Sequence, residues 1–237
     1  MYFSKTVVLN CAGLGSRLGL GKTKALINLE GKPLIHWQLD MLKNIQDVRI
    51  VVGFEAQEVI NTVLAIRKDV LFVFNHNYSS TKTGASLALG ALHSNNFIVS
   101  LDGDLLVHPE DFNYFLSFEE ECLAYTEINT EEPCYIQLEN KNNKQYITRF
   151  NPLKKSNYEW NGLAQIHASK IKATNAHVYE MLIPFLPLRA IRIRTQEIDT
   201  LSDYEKAVYW LRKTYLENTE EKYVEQGKNC EILGRTF

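Results

Sequence analysis

"VVLNCAGLGSRLGLGKTKAL", residues Val7 to Leu26, carries the reading of the whole chain. A β-branched, apolar run passes into a loop with four glycines, two before Arg17 and two after it, then Lys22 and Lys24, and then turns apolar again. The run Thr6–Cys11 reads as a strand buried on both faces, as in sheets covered by helices. Gly13 and Gly15 let backbone amides approach an anion with no Cβ in the way. Successive amides after a strand can form a nest for phosphate oxygens. Arg17 adds a planar fork of donors and Lys24 a mobile point charge.

Three kinds of site are open for such a loop. A dinucleotide fold asks for G-x-G-x-x-G and an acid about 20 residues on. "GLGSRLG" puts Leu18 at the third glycine position, and the second expected strand ends near Gly53 with no acid closing it. A P-loop asks for G-x-x-x-x-G-K-[ST]. "GSRLGLGKT" is one residue too long, although "FIVSLDGD" offers an apolar strand ending in Asp. The third reading is an ordinary glycine-rich strand-to-helix loop.

Working outward, the first half alternates strand and helix. Helices are expected over Lys32–Asn44, Ala56–Lys68 and Thr83–Leu92, from apolar residues at helical spacing. Strands are expected over Val48–Phe54, Val70–Asn75 and Phe97–Asp104. This alternation implies a parallel sheet with right-handed crossovers. Ligands on such sheets gather at the carboxyl ends of the strands. The glycine loop and the "DGD" of Asp102–Asp104 both follow strands, so both belong on one edge.

The second half changes to short strands with polar turns. "CLAYTEI", "CYIQLE", "QYITRFN" and "GLAQIHA" read as strands, and Asn140–Gln145 as a hairpin loop. A helix is expected over Thr174–Leu186, stopped at Pro184. A late strand spans Ala190–Ile198. A closing helix follows, with Ser202 as N-cap and Glu205 completing a capping box.

Bulk numbers exclude several classes. The chain has 237 residues and a formal net charge of -2, so no general attraction to nucleic acid or anionic lipid is expected. Hydrophobic residues make up 45%, enough for a sizeable core. The four cysteines, Cys11, Cys122, Cys134 and Cys230, are widely spaced, which argues against a zinc site or a disulfide scaffold. No run approaches the ~18 apolar residues needed to span a bilayer, and no signal-peptide pattern is visible. A soluble, reducing, cytoplasmic setting is the expectation, with no nucleic-acid or membrane partner.

The stretch from Leu9 to Leu42 resembles the signature of the nucleotidyltransferase superfamily. In that signature L-A-A-G-x-G-[ST]-R is followed by P-K-x-L and then G-x-P-[LM]-[IL]. Leu9–Arg17 fits, with Asn10-Cys11 in place of the usual small pair. Thr23-Lys24-Ala25-Leu26 stands where Pro-Lys-Ala-Leu is usual, and Gly31–Ile35 fits unchanged. The late segment and the short length are most similar to phosphocholine and 2-aminoethylphosphonate cytidylyltransferases.

The resemblance implies a single α/β, Rossmann-like domain over 1–237, with a mixed, mostly parallel central sheet flanked by helices. About 1–117 would bind nucleotide and about 118–237 the acceptor. It implies Arg17 and Lys24 as catalytic groups. It implies Leu9, Ala12, Gly13, Gly15, Ser16, Thr83, Gly84, Ser86 and Asp102 as nucleotide-binding, and Asp104 and Asp199 as ligands of Mg2+. Trp160, Asn161 and Gly162 are implied on the acceptor side. Trp160, Tyr125, Tyr135 and Tyr158 are candidates for an aromatic box around a quaternary ammonium, as cation–π attraction would favour. Glu127 and Glu197 could complement a cationic head group.

The reaction so implied joins a nucleoside triphosphate, with CTP preferred, to a small phosphorylated alcohol or phosphonate and releases pyrophosphate. A phosphate nucleophile is already ionised near neutral pH, so no histidine base is needed, and His108 is the one histidine set beside the acidic pair. A hexose-1-phosphate nucleotidylyltransferase and a non-catalytic nucleotide-sensing domain of the same fold stay open as alternatives. A homodimer also stays open.

Overall fold

A computed structural model describes residues 5–15, 21–151, 153 and 155–216. In chain order the elements are β1 (Lys5–Cys11), β2 (Asn28–Leu29), β3 (Lys32–Pro33), α1 (Leu34–Met41), β4 (Asp47–Val52), α2 (Ala56–Ile66) and β5 (Leu71–Phe74). Next come α3 (Thr83–Gly90), β6 (Phe97–Asp102), β7 (Leu105–Val107), α4 (Pro109–Leu116) and β8 (Cys122–Glu127). The chain then forms β9 (Ile136–Lys141), β10 (Lys144–Phe150), β11 (Tyr158–His167), α5 (Val178–Leu182), β12 (Leu188–Arg192), β13 (Thr195–Glu197) and α6 (Leu201–Leu211).

One nine-stranded sheet runs in the order β5-β4-β1-β6-β11-β8-β12-β10-β9. The first four strands pair parallel, as the alternation requires. β11 pairs antiparallel with both β6 and β8, and β10 antiparallel with both β12 and β9, while β8 and β12 are parallel. β10 and β11 thus run against the other strands, so the sheet is mixed and mostly unidirectional.

The period of two in β1 divides the core. Val7, Leu9 and Cys11 join Ile35 and Leu39 of α1, Val59 and Val63 of α2, and Phe112 and Phe115 of α4. Val8 joins Leu87 of α3 and Val178 and Leu182 of α5 on the opposite face. A third cluster packs Ala207 and Leu211 of α6 against Leu29, Leu34 and Trp37. Helices therefore cover both faces. No helix among the described residues is long and apolar enough to cross a membrane.

Because β4 and β6 flank β1, the connections on either side of β1 leave in opposite directions. A crevice opens at such a switch point, beyond the carboxyl ends of the strands. The glycine loop leaves β1 there, and the Asp102–Asp104 turn leaves β6 beside it.

Several boundaries differ from expectation for local reasons. Lys32 and Pro33 pair with Asn28 and Leu29, so α1 starts at Leu34 with Pro33 as its N-cap. The Phe97–Asp104 strand stops at Asp102, and the Ala190–Ile198 strand breaks so that Thr195–Glu197 can pair with β7. The Thr174–Leu186 helix shrinks to five residues that pass into a 3-10 turn at Ile183–Phe185. The N-cap of α6 is Thr200 instead of Ser202, because Thr200 and Asp203 exchange capping hydrogen bonds. The hairpin turn expected in Asn140–Gln145 is made by Asn142 and Asn143, at φ of 52° and 59°. Two left-handed residues in a two-residue turn are what the strand twist favours.

Candidate active site

The crevice is a cavity of about 520 Å³ whose walls come from both halves of the chain. Asn10–Gly15 and Lys24 line it together with Thr81–Thr83, Ser86, Asp102–Asp104, Trp160, Tyr179 and Glu197. Gly15 is left-handed, at φ +63°, and a Cβ there would lie 2.6 Å from the Lys22 carbonyl. Only glycine allows the loop to fold back so tightly. Glu55 receives the Thr23 amide at 2.7 Å and anchors the returning chain one residue before Lys24.

Lys24 reaches across the crevice. Its Nζ donates to Asp104 Oδ2 at 2.8 Å and to Asp199 Oδ1. All three side chains are largely buried, so the ammonium and the carboxylates depend on each other for charge balance. Glu197 completes the group: oxygens of Asp104, Glu197 and Asp199 all lie within 4.8 Å of one another. Asp102 ends β6, two residues before Asp104, and lines the same cavity. Burial, and then the charges of Asp104 and Asp102, push Glu197 up to about 8. Burial, and then the charge of Asp104, push Asp102 up to about 7.

The backbone fixes this turn from three sides. Buried Gln38 of α1 donates to the carbonyls of Asp102 and Leu105, at 2.9 Å each. The Gly103 amide donates to the Asn10 carbonyl at 3.0 Å. The Ile198 amide donates to the Asp104 carbonyl at 3.1 Å, which ties Asp199 to Asp104 through the main chain. Gly162, at φ +82°, lies in the bulge of β11, and a Cβ there would sit 2.5 Å from Asp102 Oδ2.

The acids fit a divalent cation. Oxygen donors in this number suit Mg2+. Asp104 Oδ1 is buried with no hydrogen-bond partner, a lone pair left for such an ion. Asp104, Glu197 and Asp199 are the residues that would hold it.

The structure brings together most of the expected residues. Ala12, Gly13, Gly15, Lys24, Thr83, Ser86, Asp102, Asp104, Trp160 and Glu197 line the cavity, and Asp199 is reached through Lys24. Gly84 sits at the α3 start, its amide bonded to the Ala176 carbonyl at 2.9 Å. Asn161 is buried behind the wall, donating to Thr195 Oγ1 at 3.3 Å. Ser16 and Arg17 lie outside the described residues. Leu9, expected to bind nucleotide, instead packs in the core and is not among the residues lining the cavity, because the period of two in β1 turns it toward α1 and α2.

Other expected residues stand elsewhere. Glu127 is exposed on β8 and paired with Arg192 at 2.6 Å, away from the cavity lining. The aromatic box is not assembled as expected. Tyr125 and Tyr158 pack edge-on against each other at 5.4 Å, and Tyr135 stands under Lys155. Trp160 instead shares the cavity with Tyr78 and Tyr179. His108 Nδ1 meets Arg194 Nη2 at 3.0 Å with Asp111 3.8 Å away, and it does not line the cavity with Asp102 and Asp104. Lys22 is exposed.

Sequence reasoning missed Tyr78, Lys82, His177 and Tyr179. Tyr78 and Lys82 lie on the loop between β5 and α3, and His177 and Tyr179 arrive because the start of α5 docks on the start of α3: the Val178 amide donates to Thr83 Oγ1 at 3.2 Å and Asn175 Oδ1 accepts from the Lys82 amide at 3.0 Å. The Thr-Gly step at Thr83 was the one local sign of a crowded helix start; its partner lies more than 90 residues away.

Residues 7–153 match the MobA-like NTP transferase domain, which spans the glycine loop, Lys24 and both acids of the turn. The chain belongs to this nucleotidyltransferase family. It is 31% identical over 129 residues to the choline-phosphate cytidylyltransferase of Streptococcus pneumoniae, covering 50% of this chain and 55% of that protein. It is 35% identical over 103 residues to the bifunctional protein GlmU of Campylobacter fetus, covering 42% of this chain and 23% of that protein. The chain therefore spans about half of the first relative's length and less of the second's. The solved inositol-1-phosphate CTP transferase of T. maritima superposes with a TM-score of 0.73 at 17% identity, over 90% of this chain and 96% of that one. That likeness is one of fold.

Proposed function

We propose that this nucleotidyltransferase joins CTP to a small phosphorylated alcohol or phosphonate and releases pyrophosphate. The observation that carries the reading is Lys24 held among Asp104, Asp199 and Glu197 beside the glycine loop. One similar protein is a choline-phosphate cytidylyltransferase by name and another an inositol-1-phosphate CTP transferase, which supports that choice of nucleotide.

An acceptor oxygen, already ionised, attacks the α-phosphorus. The bond from that phosphorus to the bridging oxygen breaks, and the electron pair leaves with pyrophosphate. No proton need move, so the work is positioning and charge stabilisation. Amides of Ala12–Gly15 bind phosphate oxygens. Lys24 steadies the α-phosphate, and Arg17 the leaving pyrophosphate. Mg2+, when bound, neutralises charge on the triphosphate. Trp160 and Tyr179 line the same cavity, and an aromatic lining suits a cationic acceptor head group.

Pyrophosphate release with each of four nucleoside triphosphates tests the reading. Acceptors would be phosphocholine, phosphoethanolamine, 2-aminoethylphosphonate and hexose 1-phosphates, with Mg2+. Turnover with CTP and one of the first three is expected. Turnover confined to hexose 1-phosphates, or absent with every pair, would contradict it.

A further inference from the structure

Asn75 follows β5 and is 3% exposed, behind the cavity wall rather than in it. Its Oδ1 accepts the Asn77 backbone amide at 3.1 Å. A backbone N–H can only donate, so this contact fixes which end of the amide is oxygen. The NH2 end therefore faces two hydroxyls and donates to Thr81 Oγ1 and Ser86 Oγ, each at 3.0 Å.

The two hydroxyls differ in what they do next. Thr81 donates its hydroxyl hydrogen bond to the Asn77 carbonyl at 2.9 Å. Ser86 accepts from Asn75, and among the described residues no protein group is placed to receive its hydroxyl hydrogen. Ser86 is buried and lines the cavity on the first turn of α3. Its hydrogen is free to point at whatever the cavity holds.

We propose that Asn75 sets the base specificity of the site by holding the Ser86 hydroxyl as a hydrogen-bond donor toward the pyrimidine ring nitrogen N3. The inference rests on reading the cavity as a nucleoside-triphosphate site. Cytosine presents a lone pair at N3, whereas uracil and thymine present a hydrogen there. Accepting from N3–H would leave the serine hydrogen buried without a partner. A site built to hydrogen-bond one group discriminates strongly against the partner that leaves it unpaired. Asn75 touches no nucleotide in this account; it is a positioning residue that acts through Ser86.

Asn75→Asp is nearly isosteric but offers only acceptors. It still receives the Asn77 amide, and it turns the Ser86 hydrogen inward, leaving lone pairs toward the base. Affinities of CTP and UTP would be measured by calorimetry with Mg2+ for the unaltered protein, Asn75→Asp and Ser86→Ala. The unaltered protein should prefer CTP by tenfold or more. That preference should fall at least tenfold in Asn75→Asp, and Ser86→Ala should weaken CTP while leaving UTP within about twofold. A purely structural Asn75 would weaken both nucleotides together, and an unmoved ratio overturns the inference. So does equal binding of CTP and UTP by the unaltered protein. Should Asn75→Asp not fold, judged by circular dichroism, the ratio in Ser86→Ala decides alone, and no change there overturns it. Absence of any triphosphate binding to the unaltered protein would instead sink the nucleotidyltransferase reading itself.

Discussion

Lys24 Nζ lies 2.8 Å from Asp104 Oδ2, although 80 positions of chain separate them. The contact joins the loop after β1 to the turn after β6, the two strands that meet at the switch point. Asp199 brings a third segment, from the end of the chain's second half, to the same ammonium.

Replacing Lys24 by methionine removes the one cation shown among these acids within the described residues. Turnover should fall at least 100-fold, as expected when a positioned charge on the transferring group is lost. The variant should also melt below the unaltered protein without Mg2+, because buried carboxylates are left uncompensated. Added Mg2+ should raise its melting temperature more than it raises that of the unaltered protein. Pyrophosphate release and thermal melts check both; near-normal turnover would contradict the role.

Glu197 gives a pH dependence of known sign. Its pKa rises from an ordinary value near ~4.3 to about 8 in the metal-free protein. Between those values the folded state holds a proton that the unfolded chain has lost, so this group lowers stability as the pH rises through that window. Metal binding requires the ionised form, so the stabilisation by Mg2+ should be larger at pH 8.5 than at pH 6. Glu197→Gln should flatten both trends. Melting curves with and without Mg2+ at several pH values test this, and an unchanged slope in the variant would refute it.

Gln38 supports the Asp102–Asp104 turn through its main chain. Gln38→Met keeps the volume but leaves the carbonyls of Asp102 and Leu105 without that donor. A cost of about 1–3 kcal/mol in urea denaturation is expected. Mn2+ affinity should weaken as well; a stability loss with Mn2+ binding intact would mean that the turn does not depend on Gln38.

Gly162→Ala should be disproportionately harmful for one methyl group. It places a side chain at φ +82° and drives Cβ against Asp102 Oδ2. The backbone strain costs on the order of 1–3 kcal/mol. Turnover should drop well beyond what the lost stability explains, because Asp102 must move. Comparing the rate with the fraction folded separates the two effects.

The parallel half of the sheet was legible because its signals are local: β-branched strands, helical spacing, and glycines at strand ends. Gly13, Gly15 and Lys24 sit in a stretch that resembles a known signature, and Asp104 and Asp199 are named only by what that resemblance implies. Glu127 was misplaced for a physical reason. An acid at the end of a strand says nothing about which side of the edge it faces, and Arg192 on the adjacent strand captures it at the surface. Gln38 reads in sequence as one more polar residue in an amphipathic helix. Its role follows from the turn's carbonyls lying over α1, which no local pattern encodes. His177 and Tyr179 escaped notice because only the docking of α5 on α3 carries them to the cavity.

The proposed activity needs one cation site shared by Asp104, Glu197 and Asp199, and Mn2+ binding followed by electron paramagnetic resonance in the presence of CTP tests that site most directly. One Mn2+ per chain is expected to bind the unaltered protein, with affinity lowered at least tenfold in both Asp104→Asn and Asp199→Asn while the fold persists. Equal Mn2+ binding by the unaltered protein and both variants would contradict it.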